Sequence, residues 1–413
     1  MANSLVTPSM IAKEALMQLE NNLVAANRVH REYKKEFTGG QGATVSIRKP
    51  VKFYTANGAT RVNQDVEEKT TSITIDQRKH VSWKFSTQDL TLSIEEYSER
   101  YIKPAMITLA NTVDRSIMGL YTAVWNSVGT PGTTPANFAA IAAAAQRMDE
   151  MAVPSDMRCM LMNPAARYAV AGNQTTLEAI GPKGRTAYEA AEVGRIAGLD
   201  MYSTQNVLNH TVGVKTGTPL VNGADQNVTY EASTGTPSQT LVTDGWTNST
   251  TGILKAGDVI TIAGVFAVNP VPGEGATGKL VMPYLQQFTV LADANSGAST
   301  GPATITISPP IITSGPQQTV SAAPADNAAI TVLGSTVTAY PQNLAFHKNA
   351  FALVTVPLEM PDGAAFKARE SHNGLSVRVV KDYDIANDED IIRMDILYGV
   401  KAIYPDLAAR LWG

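Results

Sequence analysis

The stretch GEGATGKL, residues 273–280, has the residue types and spacing of a phosphate-binding loop. Gly273, four residues, Gly278 and Lys279 match the nucleotide-binding P-loop up to its last position. The glycines at 273, 275 and 278 also match the G-x-G-x-x-G pattern of dinucleotide-binding folds. In such loops, backbone N–H groups hold the phosphates, the lysine contacts the terminal ones, and a Ser or Thr hydroxyl binds Mg²⁺. The pattern raises the hypothesis of a nucleotide-binding enzyme.

Two features of the flanking sequence argue against that hypothesis. The position after the lysine is Leu280, which has no hydroxyl. Both motifs also need a helix that begins at the loop, because its N-terminus supplies oriented donors and a positive dipole end. The following residues, LVMPYLQQFTVLAD, contain Pro283 and many β-branched and aromatic residues, which favour a strand or a loop. We predict a Gly-rich turn between two strands, and nucleotide binding remains an alternative.

A second pattern with chemical meaning is G-x-S-x-G at Gly297, Ser299 and Gly301. This is the nucleophile elbow of the α/β-hydrolases, which needs a buried strand that leads into a helix. Here NSGASTGP is polar, ends at Pro302, and is followed by the strand-like run ATITIS. The sequence predicts a loop at this position and not a serine hydrolase.

Thiol and metal chemistry receive little support. Cys159 is the only cysteine, and it lies in the apolar run RCMLM, so we expect a buried structural thiol and no internal disulfide. No two of the five histidines are spaced i, i+4, which is the spacing typical of helical metal sites. We expect no catalytic residues, no cofactor and no metal site.

Length and charge limit the class of protein. A chain of 413 residues has room for two or three domains. The formal net charge of −4 argues against a dedicated nucleic-acid-binding protein, which usually carries a basic patch and a high pI. The N-terminus lacks the basic and apolar regions of a signal peptide, and no apolar run approaches the roughly 18 residues that span a bilayer. We expect a cytosolic protein with no membrane partner.

The N-terminal part of the sequence predicts a helix and a hairpin. Residues 8–30 place Ile11, Ala15, Leu19 and Leu23 on one face of an amphipathic helix. Three runs then alternate with period two, which predicts two long strands paired as a hairpin with a polar tip that extends from the body. The apolar positions of these runs are Val45 and Ile47, then Ile73 and Ile75, then Val81, Trp83 and Phe85.

A long helix follows the hairpin. Ser93 and Glu96 form a capping box, and apolar residues recur at spacings of three and four through about residue 127. A helix of that length is a rod of roughly 50 Å, at about 1.5 Å per residue. We expect Pro104 to bend it in its first third.

A mixed α/β region comes next in the chain. Thr134 and Pro135 are predicted as N-cap and first residue of an alanine-rich helix. A strand at residues 157–162 and short helices after Pro164 and after Arg185 follow.

The composition changes between residues 222 and 342. This block contains seven acidic and two basic residues, and Thr, Ser, Gly and Pro separate its short β-rich runs. Several short strands with frequent turn signals predict a separately folded β-barrel or sandwich. The loops GEGATGKL and NSGASTGP both lie inside this block.

Four segments resemble a known family. Residues 343–360, NLAFHKNAFALVTVPLEM, and 389–411, EDIIRMDILYGVKAIYPDLAARL, resemble the closing elements of the major capsid proteins of tailed bacteriophages. Residues 160–170 and 194–206 are similar to two further segments of that family. The order of elements along the whole chain resembles coat proteins of P22-like podoviruses.

The resemblance implies an α+β fold, the tailed-phage major capsid protein fold, with an inserted β-barrel domain. Its parts are an N-terminal arm, an extended hairpin loop, a long spine helix and a mixed α/β body. In this sequence we expect the arm at residues 1–43, the hairpin loop at 44–85, and the spine helix with the first part of the core at 86–221. The inserted β-barrel-like domain is expected at 222–342 and the closing part of the core at 343–413.

The resemblance also implies function and partners. The chain is expected to self-assemble as hexamers and pentamers of an icosahedral capsid, first a procapsid and then a mature head. A scaffolding protein and a portal protein are the implied partners, and the shell encloses double-stranded DNA without sequence-specific binding. The expected location is the virion capsid, assembled in the host bacterial cytoplasm. A carbohydrate-binding surface protein is a further alternative, suggested by the Thr- and Gly-rich β block.

Candidate contacts between subunits lie at two places. An amphipathic helix and a long hairpin have little local core, so we expect each to bury its apolar face on a neighbouring subunit. At the hairpin tip, the charged residues of DVEEK are expected to pair with a neighbour. The TDGWTNS stretch resembles a family loop that reaches between capsomers. The candidate residues are Asp65, Glu67, Glu68, Lys69 and Asp244.

Overall fold

The computed structural model forms two compact units, which are described separately below. The first contains Met1–Ser46, Ser72–Met118 and Phe351–Lys401, and the second contains Ile47–Thr71, Gly119–Ala350 and Ala402–Gly413. The described residues are 8–33, 44–64, 66, 68, 70–86, 101–177, 187, 189–229, 238–271, 273–364, 366–372, 374–387 and 389–413.

Four α-helices and twenty strands are described in these ranges. The helices are α1 (Pro8–Asn22), α2 (Lys103–Met118), α3 (Phe138–Glu150) and α4 (Pro164–Leu177). The first ten strands are β1 (Thr44–Arg48), β2 (Thr70–Thr74), β3 (Gln77–Ser86), β4 (Ser127–Val128), β5 (Arg158–Met162), β6 (Arg195–Ile196), β7 (Leu199–Ser203), β8 (Asn209–Thr211), β9 (Gly217–Val221) and β10 (Gln239–Trp246). The others are β11 (Val259–Val268), β12 (Val281–Val290), β13 (Ala303–Ser308), β14 (Ile330–Val332), β15 (Ala339–His347), β16 (Phe351–Thr355), β17 (Phe366–His372), β18 (Leu375–Asp384), β19 (Glu389–Ala402) and β20 (Ala408–Trp412).

The first unit is a five-stranded sheet with two helices. The strands run in the order β16-β19-β18-β17, and β3 also pairs with β19. Helix α1 packs on α2 and on strands β17 and β18. The apolar face of α1 is therefore buried inside its own subunit, and Leu19 and Ala15 have no exposed surface. The expectation that this helix needs a neighbouring subunit for its apolar face is wrong.

The hairpin differs from the predicted pairing. β1 pairs with β2 in a short two-stranded sheet. The third alternating run, β3, instead lies along β19, with Trp83 opposite Ile392. Period-two alternation identifies a strand, but it does not identify the partner, which here lies about 300 residues away in the chain.

The predicted rod over residues 93–127 ends earlier than expected. Helix α2 ends at Met118, the 3-10 helix Gly119–Ala123 follows, and the chain is extended again at β4. Glycine at position 119 disfavours a further α-helical turn. Pro104 is the second residue of α2, and Tyr101 and Ile102 before it form a π-helical turn, so the helical geometry changes next to the proline. The predicted capping box, Ser93 to Glu96, lies outside the described residues.

The second unit contains a seven-stranded sheet of mixed direction. Its order is β4-β20-β15-β5-β7-β6, and β8 pairs with β15. Helix α3 covers this sheet, and its Ile141 and Met148 are buried in the shared core. The side chain of Asn137 caps α3 by accepting the N–H of Ala140 at 2.9 Å, so the helix begins three residues later than Thr134 and Pro135 predict.

The second unit also contains a six-stranded antiparallel barrel. The strands run in the order β14-β11-β12-β13-β10-β9. The two edges meet where Leu220 bridges Ala329 and the N–H of Val221 donates to the carbonyl of Ala328 at 3.0 Å. These strands begin at Gly217, and β15 pairs with β20, β5 and β8 rather than with the barrel.

No helix in the described part of the chain is both long and apolar enough to cross a membrane.

Candidate assembly sites

The loop GEGATGKL has a lysine that is directed into the protein. The Lys279 side chain is only 7% exposed, and its Nζ donates to the carbonyl oxygen of Gln318 at 3.0 Å. Burial, reinforced by the nearby Lys52, lowers the pKa of Lys279 to about 8. The chain continues directly into β12, so the predicted strand after the loop is confirmed. The helix that a phosphate-binding loop requires is replaced by a strand.

The backbone amides of this loop are also engaged. The N–H of Gly275 donates to the carbonyl of Thr55 at 2.8 Å, and that of Gly278 donates to the carbonyl of Gly275 at 3.3 Å. A Cβ atom at Gly278 would lie 1.7 Å from the carbonyl oxygen of Glu274, so glycine is required for the tight turn itself. The glycine pattern therefore reflects a close backbone approach.

The G-x-S-x-G stretch is a loop, as predicted. Its carbonyl at Thr300 accepts the N–H of Gly245 at 2.9 Å, and the N–H of Gly297 donates to Pro302 at 2.8 Å. Ser299 has φ of 72°, and strand β13 follows the loop. The strand-to-helix turn that activates a nucleophilic serine is replaced here by a loop between strands.

The segment after β1 contacts the barrel of the same chain. Thr55 and Glu274 form a parallel bridge, and the N–H of Thr55 donates to the carbonyl of Gly273 at 3.2 Å. The side-chain amide of Asn57 donates to the Glu274 carboxylate at 2.6 Å. The loop with the nucleotide-binding pattern therefore forms the hydrogen bonds that attach the hairpin to the barrel.

The predicted charged cluster at the hairpin tip is described in part. Glu68 is exposed and pairs with Arg48 at 3.2 Å. Asp65, Glu67 and Lys69 lie outside the described residues. The Arg48–Glu68 pair is within one chain, and exposed pairs of this kind contribute about 0–1 kcal/mol.

Asp244 lies in a strand rather than in a loop. It is a half-buried residue of β10 that pairs with Leu220, and the register shifts between Asp244 and Trp246. Trp246 is buried, and its Nε1 donates to the Thr243 hydroxyl at 2.9 Å. The turn that the sequence places at TDGWTNS begins only after this tryptophan.

A buried polar cluster connects the barrel to the seven-stranded sheet. The His210 Nε2 lies 2.8 Å from the Asp258 Oδ1, and the Tyr121 hydroxyl lies 3.2 Å from the His210 Nδ1. Asp258 also accepts the N–H groups of Gly213 at 3.1 Å and Lys255 at 2.7 Å. Because His210 is 2% exposed and Asp258 fully buried, this set has the residue types of a proton relay but no access for a substrate.

Arg410 completes this cluster. Its buried guanidinium donates to the carbonyls of Val124 at 2.6 Å and Gly257 at 2.7 Å, and to the Thr289 hydroxyl at 3.0 Å. Burial lowers the pKa of Arg410 to about 10. Sequence reasoning missed the cluster because its members are spread from position 121 to position 410 and form no local motif.

A family comparison identifies the chain. A family model described as P22 coat protein, gene protein 5, matches residues 1–413. The chain belongs to the P22 coat protein family. The coat protein is also similar to the major capsid protein of Acyrthosiphon pisum secondary endosymbiont phage 1. The two are 26% identical over 292 residues, which cover 70% of this chain and 68% of that protein.

Solved structures show a distant likeness. A chain of Mycobacterium phage Che8 is 13% identical, with a TM-score of 0.48 over 94% of this chain and 90% of that chain. A chain from the capsid structure of the cyanophage P-SCSP1u is 13% identical, with a TM-score of 0.44 over 91% of this chain and 84% of that chain.

Family membership confirms the predicted fold class, and the strands at residues 217–332 form the predicted barrel. It also confirms the predicted role: this coat protein is a structural protein that forms a phage capsid. The nucleotide-binding and carbohydrate-binding alternatives receive no support from these comparisons.

Proposed function

We propose that this coat protein assembles as hexamers and pentamers of an icosahedral shell, first as a procapsid and then as a mature head. The observation that best supports the proposal is the surface of the hairpin between β1 and β2. Three of its large apolar side chains are exposed, by 49%, 50% and 65%, at Phe53, Val62 and Val66. Apolar side chains exposed along one segment are typical of a surface that another protein covers.

The hairpin provides a heterologous contact. Thr55 and Asn57 bind the barrel, so the exposed apolar side chains on either side of them are presented from a fixed base. If they lie on the body of a neighbouring copy, the contact repeats from subunit to subunit. A repeated contact of this kind closes into rings when the rotation allows it.

Charged residues are proposed to set the register of this contact. Asp65, Glu67, Glu68 and Lys69 at the hairpin tip, and Asp244 at the barrel bulge, are the proposed contacts between subunits. Each exposed ion pair contributes only about 0–1 kcal/mol, but the same pair recurs at every copy in the shell.

The domain limits are also part of the proposal. We infer five segments, with an arm at residues 1–43, a hairpin loop at 44–85, and the spine helix and first core at 86–221. The inserted barrel at 222–342 and the closing core at 343–413 follow. The strand pairing supports moving the barrel limits to about Gly217 and Val332, the first and last residues of its strands.

Partners and location follow from the same assignment. We propose a scaffolding protein during assembly, a portal protein at one position of the shell, and double-stranded DNA inside without sequence-specific binding. A net charge of −4 agrees with a shell that encloses DNA without a dedicated binding surface. Assembly in the host bacterial cytoplasm is proposed as well.

The coat protein is further proposed to have no enzymatic activity. The engaged amides and buried lysine of GEGATGKL support this. Calorimetric titration of the purified protein with Mg-ATP tests it, and saturable binding at millimolar concentration or tighter contradicts it.

Electron microscopy of the expressed protein, with and without a scaffolding partner, tests the assembly proposal. Uniform closed shells are expected for the wild type. The triple variant Phe53→Ser, Val62→Ser and Val66→Ser is expected to stay soluble and folded but to form no shells. Val337→Ser, at another exposed apolar side chain, serves as the control and is expected to assemble. Normal shells from the triple variant contradict the role of the hairpin.

A further inference from the structure

We propose that residues 382–387 of one coat protein, at the end of β18, dock into a lysine-lined cavity of a second copy. Ile385 then contacts the apolar side chains of that cavity, and Asp382 and Asp384 face its lysines. The inference rests on the proposed shell assembly and adds a second, specific contact between copies.

The cavity lies within the second unit. Its volume is about 430 Å³, in the range of about 300–1,000 Å³ that is usual for clefts that bind ligands. Its lining includes both apolar and cationic side chains, among them Trp125, Val268 and Ile312, and Lys49, Lys52 and Lys279.

The charge of the cavity suits an acidic ligand. Three lysines and one carboxylate, Asp406, contribute to its lining. In the part of the chain that the structure describes, neither Lys52 nor Lys279 has an ion-pair partner. With a pKa of about 8, Lys279 is mostly protonated at pH 7 in spite of its burial. A carboxylate placed here would offset the cost of burying this charge.

The turn between β18 and β19 has the complementary surface. The two strands end where Asp384 pairs with Glu389, and Ile385 at the start of the turn is 87% exposed. The Asp384 carboxylate accepts the N–H of Ala386 at 3.0 Å and the side-chain amide of Asn387 at 2.7 Å. These bonds fix residues 384–387 relative to one another and hold Ile385 beside a carboxylate.

The other acidic residues near the turn show which carboxylates remain for a partner. Glu389 pairs with Lys84 at 2.6 Å, and Asp390 pairs with Lys381 at 3.0 Å. Asp382 is exposed, and among the described residues its carboxylate accepts the N–H of its own neighbour, Tyr383. Asp382 and Asp384 therefore place two negative charges just before the exposed isoleucine. Neither forms a salt bridge within the described ranges, and the charge of Lys84, which pairs with Glu389, contributes to lowering the pKa of Asp384.

Every copy in a shell carries both surfaces, so the contact is heterologous and repeats. The two surfaces carry opposite charges, and the apolar side chain of one becomes buried in the other. Specific interfaces usually combine these two features.

Cross-linking between two differently tagged chains tests the contact directly. One chain carries Ile385→Cys and the other carries Lys52→Cys, and the native Cys159 is buried. After co-assembly and mild oxidation, a disulfide-linked dimer that contains both tags is expected in at least fivefold excess over the control. The control replaces Lys52→Cys with Val337→Cys. A yield equal to the control overturns the proposal.

A charge exchange provides a second test. Lys52→Glu alone and Asp382→Lys alone are each expected to lower the yield of shells at least tenfold, while circular dichroism shows a folded subunit. The chain with both substitutions is expected to recover at least half of the wild-type yield. If it stays as defective as the single variants, or if the single variants assemble normally, the proposal is wrong. Failure of the wild type to form shells would instead contradict the proposed function.

Discussion

The carboxylate of Asp114 accepts the backbone N–H of Ala26 at 2.9 Å. It also accepts the N–H groups of Val24 at 2.7 Å and Ala25 at 3.2 Å. One buried side chain of α2 therefore binds three successive amides of the segment that follows α1. These hydrogen bonds fix the segment after α1 to helix α2 within the first unit.

We predict that Asp114→Ala destabilises the subunit by about 3 kcal/mol or more, because each buried N–H left without an acceptor costs about 1–3 kcal/mol. Arg115→Ala, at an exposed position of the same helix, is the control and is expected to change stability by less than about 0.5 kcal/mol. Urea unfolding of the unassembled subunit measures both. Equal midpoints for the two variants would show that the three hydrogen bonds contribute nothing.

The pH dependence of Lys279 follows from its burial. Folding lowers its pKa from 10.5 to about 8. Between these values the unfolded chain binds more protons, so the free energy of unfolding rises as the pH increases from about 8 to about 10.5. Below pH 8 both states are protonated, and the cost of burying the charge is present in full.

Lys279→Met removes this dependence. We expect the variant to be more stable than the wild type at pH 7, and we expect the difference between the two proteins to shrink as the pH approaches 10. Urea unfolding at pH 7, 8.5 and 9.5 tests this. A difference that stays constant over this range contradicts the assignment.

Trp83 offers a prediction based on an unsatisfied donor. It is half-buried on β3, and its Nε1 has no hydrogen-bond partner among the described residues. Trp83→Phe keeps an aromatic ring without the donor, so we expect a change within about 1 kcal/mol. Trp83→Ala removes the ring and is expected to cost about 2–3 kcal/mol, less than the roughly 3–5 kcal/mol of a fully buried aromatic residue. Thermal unfolding of the two variants separates the contribution of the ring to stability from that of the N–H donor. An equal loss of stability in both variants would contradict this reasoning.

Arg410 is predicted to be essential for the second unit. Arg410→Leu leaves two carbonyls and one hydroxyl without a donor and removes the charge near Asp258, so we expect a loss of about 3–5 kcal/mol. The control is Arg195→Leu, because its side chain is exposed and its pair with Asp200 is 3.7 Å long. Denaturant unfolding checks the two variants, and similar losses would show that the buried network is not specific.

The sequence predicted the local features of this fold well. The turn at GEGATGKL, the strand after it and the strand after Ser299 were predicted from the residues that follow each motif. A few residues are enough there, because strands and helices favour different residue types. The pairing of β3 with β19 was not, since alternation gives a strand its two faces but no partner. The same limit applies to Asp114. Its sequence neighbours do not indicate that its carboxylate accepts hydrogen bonds from backbone N–H groups about 90 residues earlier in the chain.

The local structure at Asp244 was predicted less well than the fold. Asp244 was placed in a loop because its neighbours are polar, yet strand pairing with Leu220 extends through it. The contact of Glu68 with a neighbouring copy stays a prediction, and within the chain Glu68 pairs with Arg48. The lysine cavity and the exposed Ile385 had no sequence signal, because they depend on residues that only the fold brings together.

The apolar core of the barrel includes side chains from outside the barrel strands. Val212, Tyr340 and Trp412 lie outside residues 217–332, but they are buried in the same apolar cluster as the barrel strands. Recombination between phages that exchanged only the barrel-coding segment would therefore place a foreign core against these three side chains. We expect a viable exchange to need matching residues at all three positions, so the barrel strands and these flanking residues would have to be exchanged together.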